Sequence, residues 1–285
     1  MALKIQAEKE ALTIGCDPEY GIINNGRLVM PNDVLISPPQ EFGIDGSGRV
    51  AELRPPHSDN PRGLTVNIGR VIMTGVERFP QLLDYQLKAG GTAVDEPIGG
   101  HIHFGHSMLK KADKARVLAE ALDKTLAVLV LMVEDPEEAL NRRMGSQYGN
   151  VGANNYREQP WGMEYRVLPS WLTSPAECEA VLSLSYIIAH EFNNKKIIEE
   201  ACSMPAFDTQ AFKECDKVAL MYWIPDIISF IKSLPLFEEY REAMLPLFRL
   251  IKQQKVWSCD KNMIDTWNVK GYLASAKKKE AAYSV

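Results

Sequence analysis

The chain has 285 residues, 46% apolar and 24% charged, with a net charge of −5. That composition is globular and excludes disorder, collagen-like repeats and coiled-coil arrays as whole-chain descriptions, and the acidic balance argues against a general nucleic-acid or membrane-surface binder. A chain this long buries enough surface to fold without disulfides or a structural metal. Its five cysteines, an odd number without a C-x-x-C, suit a reducing compartment. The first ten residues have no apolar signal core, and the longest apolar run, Leu126–Val133, is far short of the roughly 20 residues of a membrane span. The expectation is a soluble, cytoplasmic protein.

In chain order, the first half is rich in glycine, proline and short apolar runs, and strands are predicted at Leu12–Cys16, Arg49–Arg54, His101–Gly105 and Met163–Leu168. The first strand carries Gly15-Cys16-Asp17-Pro18-Glu19-Tyr20. Residues two apart share a strand face, so Asp17 and Glu19 present two carboxylates together and Cys16 points to the apolar side. Adjacent acids repel unless a cation sits between them, and oxygen ligands of this kind suit magnesium or manganese. The plainer reading is an exposed strand end with a proline turn. On the second strand, Asp45-Gly46-Ser47-Gly48 leads to Glu52 and Arg54 on one face, either a structural ion pair or a metal ligand beside an anion clamp. A helix is predicted from Pro61, behind an Asn60 cap, to about Phe79.

The third strand holds Gly99-Gly100-His101-Ile102-His103-Phe104-Gly105, with His106 just beyond. His101 and His103 share a face, and the flanking glycines admit a close backbone or ligand. An H-x-H pair also occurs in zinc hydrolases, so it does not choose the metal. A helix from about Lys110 to Val133 follows, apolar on every side in its last two turns and therefore central and buried. The stretch Arg142–Arg157 is polar and glycine-rich with three arginines, a loop suited to folding over phosphates, although no Walker loop occurs. It leads to the fourth strand, where Glu164 and Arg166 share a face. Ser174-Pro175-Ala176-Glu177 reads as a capping box opening a helix to about Lys195. Residues 208–254 read as helices broken near Pro225, Pro235 and Pro246, and the tail with Lys277-Lys278-Lys279 as frayed. The picture is α+β, one domain over 1–285, with a motif-bearing sheet region at about 12–171 and a helical C-terminal part at about 174–274.

Four strand ends thus carry same-face pairs: acid–acid, acid–arginine, histidine–histidine and acid–arginine. Carboxylates for divalent ions beside arginines for anionic oxygens meet the needs of a metal–nucleotide phosphoryl-transfer site, where catalysis is charge neutralisation and positioning.

The ordered set D-P-E, D-G-x-G…E-L-R-P, G-G-H-I-H-F-G and Y-G-x-x-G…R…M-E-Y-R-x-L-P-S resembles the phage-type carboxylate–amine ligases, or amidoligases, of the glutamine synthetase and glutamate–cysteine ligase superfamily. The motifs cover roughly residues 12–171. The resemblance implies a glutamine-synthetase-like catalytic domain, a curved, mostly antiparallel sheet with outer helices. It implies ATP and magnesium or manganese as cofactors. Asp17, Glu19, Glu52 and Glu164 match metal-holding acids, and His101 the metal-binding histidine. His103 matches the position facing the nucleotide phosphates, Arg157 a phosphate-contacting arginine, and Arg166 the arginine near the transferred phosphate. Arg54 carries over less directly, to a substrate carboxylate. Asp17 stands where the larger synthetases usually carry glutamate, a shorter arm that changes the reach to a metal.

The implied reaction is amide or isopeptide formation through an acyl phosphate, in the host cytoplasm if the protein is phage-encoded. No cysteine is needed as a nucleophile. Three alternatives stay open: a guanidino-kinase-like phosphotransferase, a metal-dependent hydrolase, and a non-catalytic phage interaction protein on the same scaffold. Substrates are expected to be a small-molecule or peptide carboxylate and an amine, with Arg27, Arg49 and Arg54 hinting at an acidic one. The acceptors open are a cell-wall peptide, a protein side chain or a modified DNA base. No membrane partner is expected, and the oligomeric state is left open.

Overall fold

A computed structural model describes residues 10–145, 149–152, 154–203 and 208–275. The first nine residues, Ser146 to Tyr148 and Ala153 of the glycine-rich loop, and the lysine-rich tail lie outside them. The strands are β1 (Thr13–Asn24), β2 (Arg27–Val29), β3 (Phe42–Ile44), β4 (Ala51–Leu53), β5 (Gln86–Lys88), β6 (Thr92–Ala93), β7 (Glu96–Pro97), β8 (Gly100–Gly105), β9 (Tyr156–Gln159) and β10 (Gly162–Tyr165). The helices are α1 (Pro31–Val34), α2 (Pro61–Arg78), α3 (Ala112–Leu122), α4 (Val128–Val133), α5 (Pro136–Gly145), α6 (Pro175–His190), α7 (Lys195–Ser203), α8 (Thr209–Lys213), α9 (Lys217–Met221), α10 (Ile224–Ser233), α11 (Phe237–Gln253) and α12 (Met263–Thr266), with short 3-10 turns between.

The main sheet runs β3-β4-β1-β8-β10-β9, with β2 and β5 also on β1 and every pairing antiparallel. It is the expected α+β architecture, an open sheet carrying helices. β1 runs straight through the proline rather than turning there. On the edge away from β8, Ile14 exchanges hydrogen bonds with Ser58 and Tyr20 pairs with Ala51. Pro18 falls between these two contacts, where a missing N–H costs little.

The sheet's inner face is apolar. Ile14, Cys16, Ile102, Phe104, Met163 and Tyr165 are buried and belong, with residues of α2, α3, α4 and α6, to one hydrophobic cluster that extends from Leu12 to Val269. Asn60 caps α2 by accepting from the Gly63 N–H at 2.8 Å, worth about 1 kcal/mol. Ser174 Oγ accepts from the Glu177 N–H at 3.2 Å to start α6. The Glu177 carboxylate takes the Ser174 hydroxyl at 2.9 Å and the Ser258 N–H at 3.3 Å, so the box also ties the helix to the C-terminal segment.

Three expectations need correction. The helix predicted from Lys110 to Val133 is a 3-10 turn, then α3, a π-helical turn at Asp123–Ala127, and α4. The widened turn faces the core at Asp123, and such bulges often mark functional regions. Pro246 does not break the chain but lies inside α11. The lost backbone bond and ring clash cost about 3 kcal/mol, offset by burial of Phe237, Met244, Leu247 and Ile251. Arg142 and Arg143 do not face a phosphate loop: they end α5, buried at 2% and 3% exposure. Arg142 donates to the carbonyls of Ile98, Val167 and Leu168 at 2.8–3.0 Å. Arg143 pairs with buried Glu134 at 2.8 and 3.1 Å and lies over the Phe212 ring. Among the described residues no helix is long and apolar enough to cross a membrane.

Candidate active site

The register of β1, β8, β10 and β9 sets the polar face in rows. Thr13, Gly105, Gly162 and Gln159 form one row; Gly15, His103, Glu164 and Arg157 form the next. Asp17 stands opposite His101 in a third, and Glu19 opposite Glu52 in a fourth. Arg166 follows the end of β10, its N–H donating to the Asn155 carbonyl at 2.8 Å. Alternation places each functional side chain on this face, and register decides its neighbours.

The middle rows converge. Asp17 Oδ1 lies 3.2 Å from His101 Nδ1 and 3.1 Å from His103 Nε2. His101 Nδ1 is 3.6 Å from Glu164 Oε1, and Arg166 Nε is 3.2 Å from the same oxygen. Arg157 Nε and Nη2 donate to Glu164 Oε2 at 2.9 and 2.6 Å, and Gln159 Nε2 joins them at 2.6 Å. Glu164 is 1% exposed. A buried carboxylate with this many donors is well satisfied on one oxygen. Yet Asp17 Oδ1, His103 Nε2 and Glu164 Oε1 are buried without an aligned hydrogen-bond partner among the described residues.

Asp17, His103 and Glu164 each offer a ligand atom within 4.8 Å of the other two. The two carboxylates are oxygen ligands of the kind magnesium or manganese take, while the imidazole does not choose the metal, and buried polar atoms without aligned partners are costly unless something else binds them. The residues present therefore fit a divalent ion.

The electrostatics vary along the rows. Burial pushes the Asp17 carboxyl up, but His101 and His103 outweigh it and hold it well below the usual carboxylate range. Burial pushes His101 down, and Asp17, then Glu19 and Glu164, raise it above its ordinary value. Glu19 is pushed up to about 6, chiefly by burial, although it accepts the Gly99 N–H at 2.6 Å. Glu52 is pushed up to about 8 by burial and the Asp17 charge, with Arg54 opposing. Glu52 and Arg54 form an ion pair, and Arg54 also reaches the Ile44 carbonyl at 3.0 Å. The structure thus brings Asp17, His101, His103, Glu164, Arg157 and Arg166 together and leaves Glu19, Glu52 and Arg54 in the adjoining row. Arg27 is exposed beside a hairpin turn, and Arg49 pairs with Glu96 at 2.5 Å. His106 caps a 3-10 turn by accepting from the Met108 N–H.

Four residues were not singled out by sequence. Gln159 shares a face with Arg157, a period-two signal that was available. Asp123 accepts from the Gly152 N–H, the Asn155 amide and the Tyr165 hydroxyl at 2.7–2.8 Å, anchoring the loop and strand that carry Arg157 and Glu164. Trp161 and His57 line a cavity of about 840 Å3 beside Asp17 and His103. None of these three had a local signal.

From residue 14 to residue 269 the chain matches the phage phiEco32-like COOH.NH2 ligase family, type 2, and it belongs to that family. The fold is similar to that in the crystal structure of the prokaryotic ubiquitin-like protein Pup with its ligase PafA: TM-score 0.52, 11% identity, covering 95% of this chain and 69% of that one. Weaker likenesses are to a bifunctional glutathione synthetase from Pasteurella multocida, with a TM-score of 0.44, 12% identity and 94% of this chain on 49% of that one. A glutamine synthase homolog gives 0.38 and 9%, with 81% of this chain on 70% of that one. No curated protein sequence matches the chain.

Proposed function

We propose that the chain is an ATP-dependent ligase that joins a carboxylate to an amine through an acyl phosphate. The observation that carries this is the convergence of three buried ligand atoms without aligned partners, from Asp17, His103 and Glu164, beside the guanidiniums of Arg157 and Arg166. Asp17, His103 and Glu164 would hold a divalent ion, with His101, Glu19 and Glu52 as the nearest further donors. When bound, the ion supplies charge neutralisation on the nucleotide phosphates.

The chain's own residues do the rest. A substrate carboxylate oxygen attacks the γ-phosphorus, the bond to the β-phosphate oxygen breaks, and ADP leaves. The amine then attacks the acyl carbon, inorganic phosphate departs, and the nitrogen loses a proton. Arg157 and Arg166 would serve the phosphoryl oxygens while staying paired with Glu164, since a preformed donor acts most strongly on charge developing in the transition state. Buried Glu164 keeps the two guanidiniums in place, which limits reorganisation. The adjoining Arg54 would hold the carboxylate of an acidic substrate. We read the whole chain as one catalytic unit.

The test is ADP release with magnesium and a panel of acids and amines. Release that requires both an acid and an amine, with amide in the product, is the expected result. Release with an acid or water alone, or phosphate retained on nitrogen, would overturn it in favour of a hydrolase or a phosphotransferase.

A further inference from the structure

Among the helices of the C-terminal part, α4, α9, α10 and α11 border an apolar groove of about 450 Å3 that shares no residue with the metal-fitting cluster. Its walls are Met132, Met221, Ile224, Ile228, Phe248 and Ile251. Ile224, Ile228 and Lys232 follow at four-residue spacing, which puts them on one face of α10. Ile227, Phe230 and Ile231 bury that helix, and half-buried Ile228 is apolar surface left over from the packing. The apolar surface continues outside the groove. Met221 is exposed, and Val218 and Tyr222, four residues apart along α9 and its C-cap, are 74% and 81% exposed. Adjoining exposed methionine, aromatic and aliphatic side chains are the composition of a protein-binding surface rather than of scattered surface residues.

Two cations bear on the same groove. Lys232 and Lys252 line it, both are exposed, and neither makes a hydrogen bond or ion pair among the described residues. Lys217 nearby behaves differently, since its ammonium is turned inward onto the carbonyls of Met132 and Glu134. Lys232 and Lys252 each stand in the last turn of their helix, where a cation is favourable for the helix itself. That does not account for two of them facing one apolar groove whose described lining contains no acid. On a chain of net charge −5 this is a locally basic rim, and it calls for an anionic counterpart. A second copy docked symmetrically through this patch would bring the lysines of both copies together, because a two-fold interface sets the same surface against itself. The tail with Lys277-Lys278-Lys279 carries the wrong charge as well.

We infer that this groove docks a helix of another protein, apolar on one face and acidic at its flanks. An apolar groove between helices accepts the apolar stripe of an amphipathic helix, Met132 and Met221 adapt to its side chains, and Lys232 and Lys252 select acids beside the stripe. Tyr222 and Val218 extend the contact beyond the groove. The docking surface is independent of the ligase chemistry, since no residue of α9, α10 or α11 belongs to the candidate site.

Calorimetry on the full chain with two synthetic amphipathic helical peptides tests it. Both carry leucines at i, i+3, i+4 and i+7; one has glutamates beside the stripe and the other has lysines. Wild type should bind the glutamate peptide, more weakly at high salt, and the lysine peptide at least about tenfold more weakly. Lys232→Glu combined with Lys252→Glu should invert that order. Tyr222→Ala should weaken the glutamate peptide about fivefold or more. All three side chains are exposed, so these variants should fold, and thermal melts confirm it. Binding of neither peptide, equal binding of both, or binding that ignores the lysine reversals and Tyr222→Ala overturns the docking site. Self-association of wild type that Tyr222→Ala abolishes assigns the surface to a second copy and also overturns it. So does binding of decanoate, lost with the two lysines, where both peptides fail, because the groove then holds a small amphiphile. ADP release is a separate readout, so a failed ligase reading and a failed docking site are told apart.

Discussion

The Tyr165 hydroxyl donates to Asp123 Oδ1 at 2.7 Å, on the face of β10 away from Glu164. Asp123 Oδ2 takes the Gly152 N–H and the Asn155 amide, and the Asn155 carbonyl in turn holds the Arg166 N–H. One buried carboxylate in a π-helical turn thus positions the loop, the strand and an arginine of the site.

Burial, opposed by these hydrogen bonds, pushes the Asp123 carboxyl from 3.8 up to about 7. A raised acid contributes stability that is fully present below its ordinary pKa and is lost as pH rises through the folded value. Asp123→Asn cannot ionise and can still face oxygen to Gly152 and Asn155 and nitrogen to Tyr165. Thermal melts from pH 4 to 8 should therefore show wild type falling relative to Asp123→Asn. Asp123→Ala leaves three donors without a partner and should cost about 3 kcal/mol or more. A pH-independent difference between wild type and Asp123→Asn would contradict the buried charge.

Glu52 and Glu164 should respond in opposite senses. Glu52 faces Glu19 across the β1–β4 pair and is held protonated toward pH 8 by burial and neighbouring charge. Its pKa is also raised, so stability is lost as pH rises toward 8, and Glu52→Gln should raise the metal-free melting temperature at pH 8–9 by about 2–4 °C. Glu164 instead receives Arg157, Gln159 and Arg166, so Glu164→Gln should lower metal-free stability by about 3 kcal/mol. Mutual repulsion, expected from sequence between Asp17 and Glu19, is felt at Glu52, which the Asp17 and Glu19 charges raise. Melts with and without magnesium check both, and the same sign for the two variants would refute this division.

Arg166 separates phosphoryl transfer from water attack. Arg166→Lys keeps charge but loses the planar fork, and turnover should fall about a hundredfold or more with a much smaller change in nucleotide affinity. Steady-state kinetics on any active substrate pair decides. A normal kcat with a raised KM would mark Arg166 as a binding residue of a hydrolase.

Arg142 should behave as a structural residue despite its place in the glycine-rich stretch. Burial pushes its guanidinium down to about 10, and three carbonyls hold it. Arg142→Lys cannot serve three acceptors in that fork and should cost about 2–4 kcal/mol of stability. Mg-tripolyphosphate affinity, measured on the fraction that remains folded, should not change. A selective loss of affinity in a stable variant would return Arg142 to the phosphates.

The sequence by itself determined which side chains share a face. Asp17 with Glu19, His101 with His103, and Glu164 with Arg166 follow from the period of two, and Asn60 and Ser174 mark helix starts by local hydrogen bonding. Those signals are short-range, and their order along the chain was enough to place the family. Register was not legible, because it depends on strands far apart in the chain: it sets Asp17 against His101 and His103 against Glu164, and moves Glu19 and Glu52 one row away. Burial was not legible for the same reason. Arg142 and Arg143 read as part of a loop suited to folding over phosphates until the packing of α5 closed over them, and Pro246 read as a break until α11 found a core to bury. Asp123 and Trp161 gain their meaning only from what the fold sets beside them, since a carboxylate or an indole has no role until its neighbours fix its solvation and its partners.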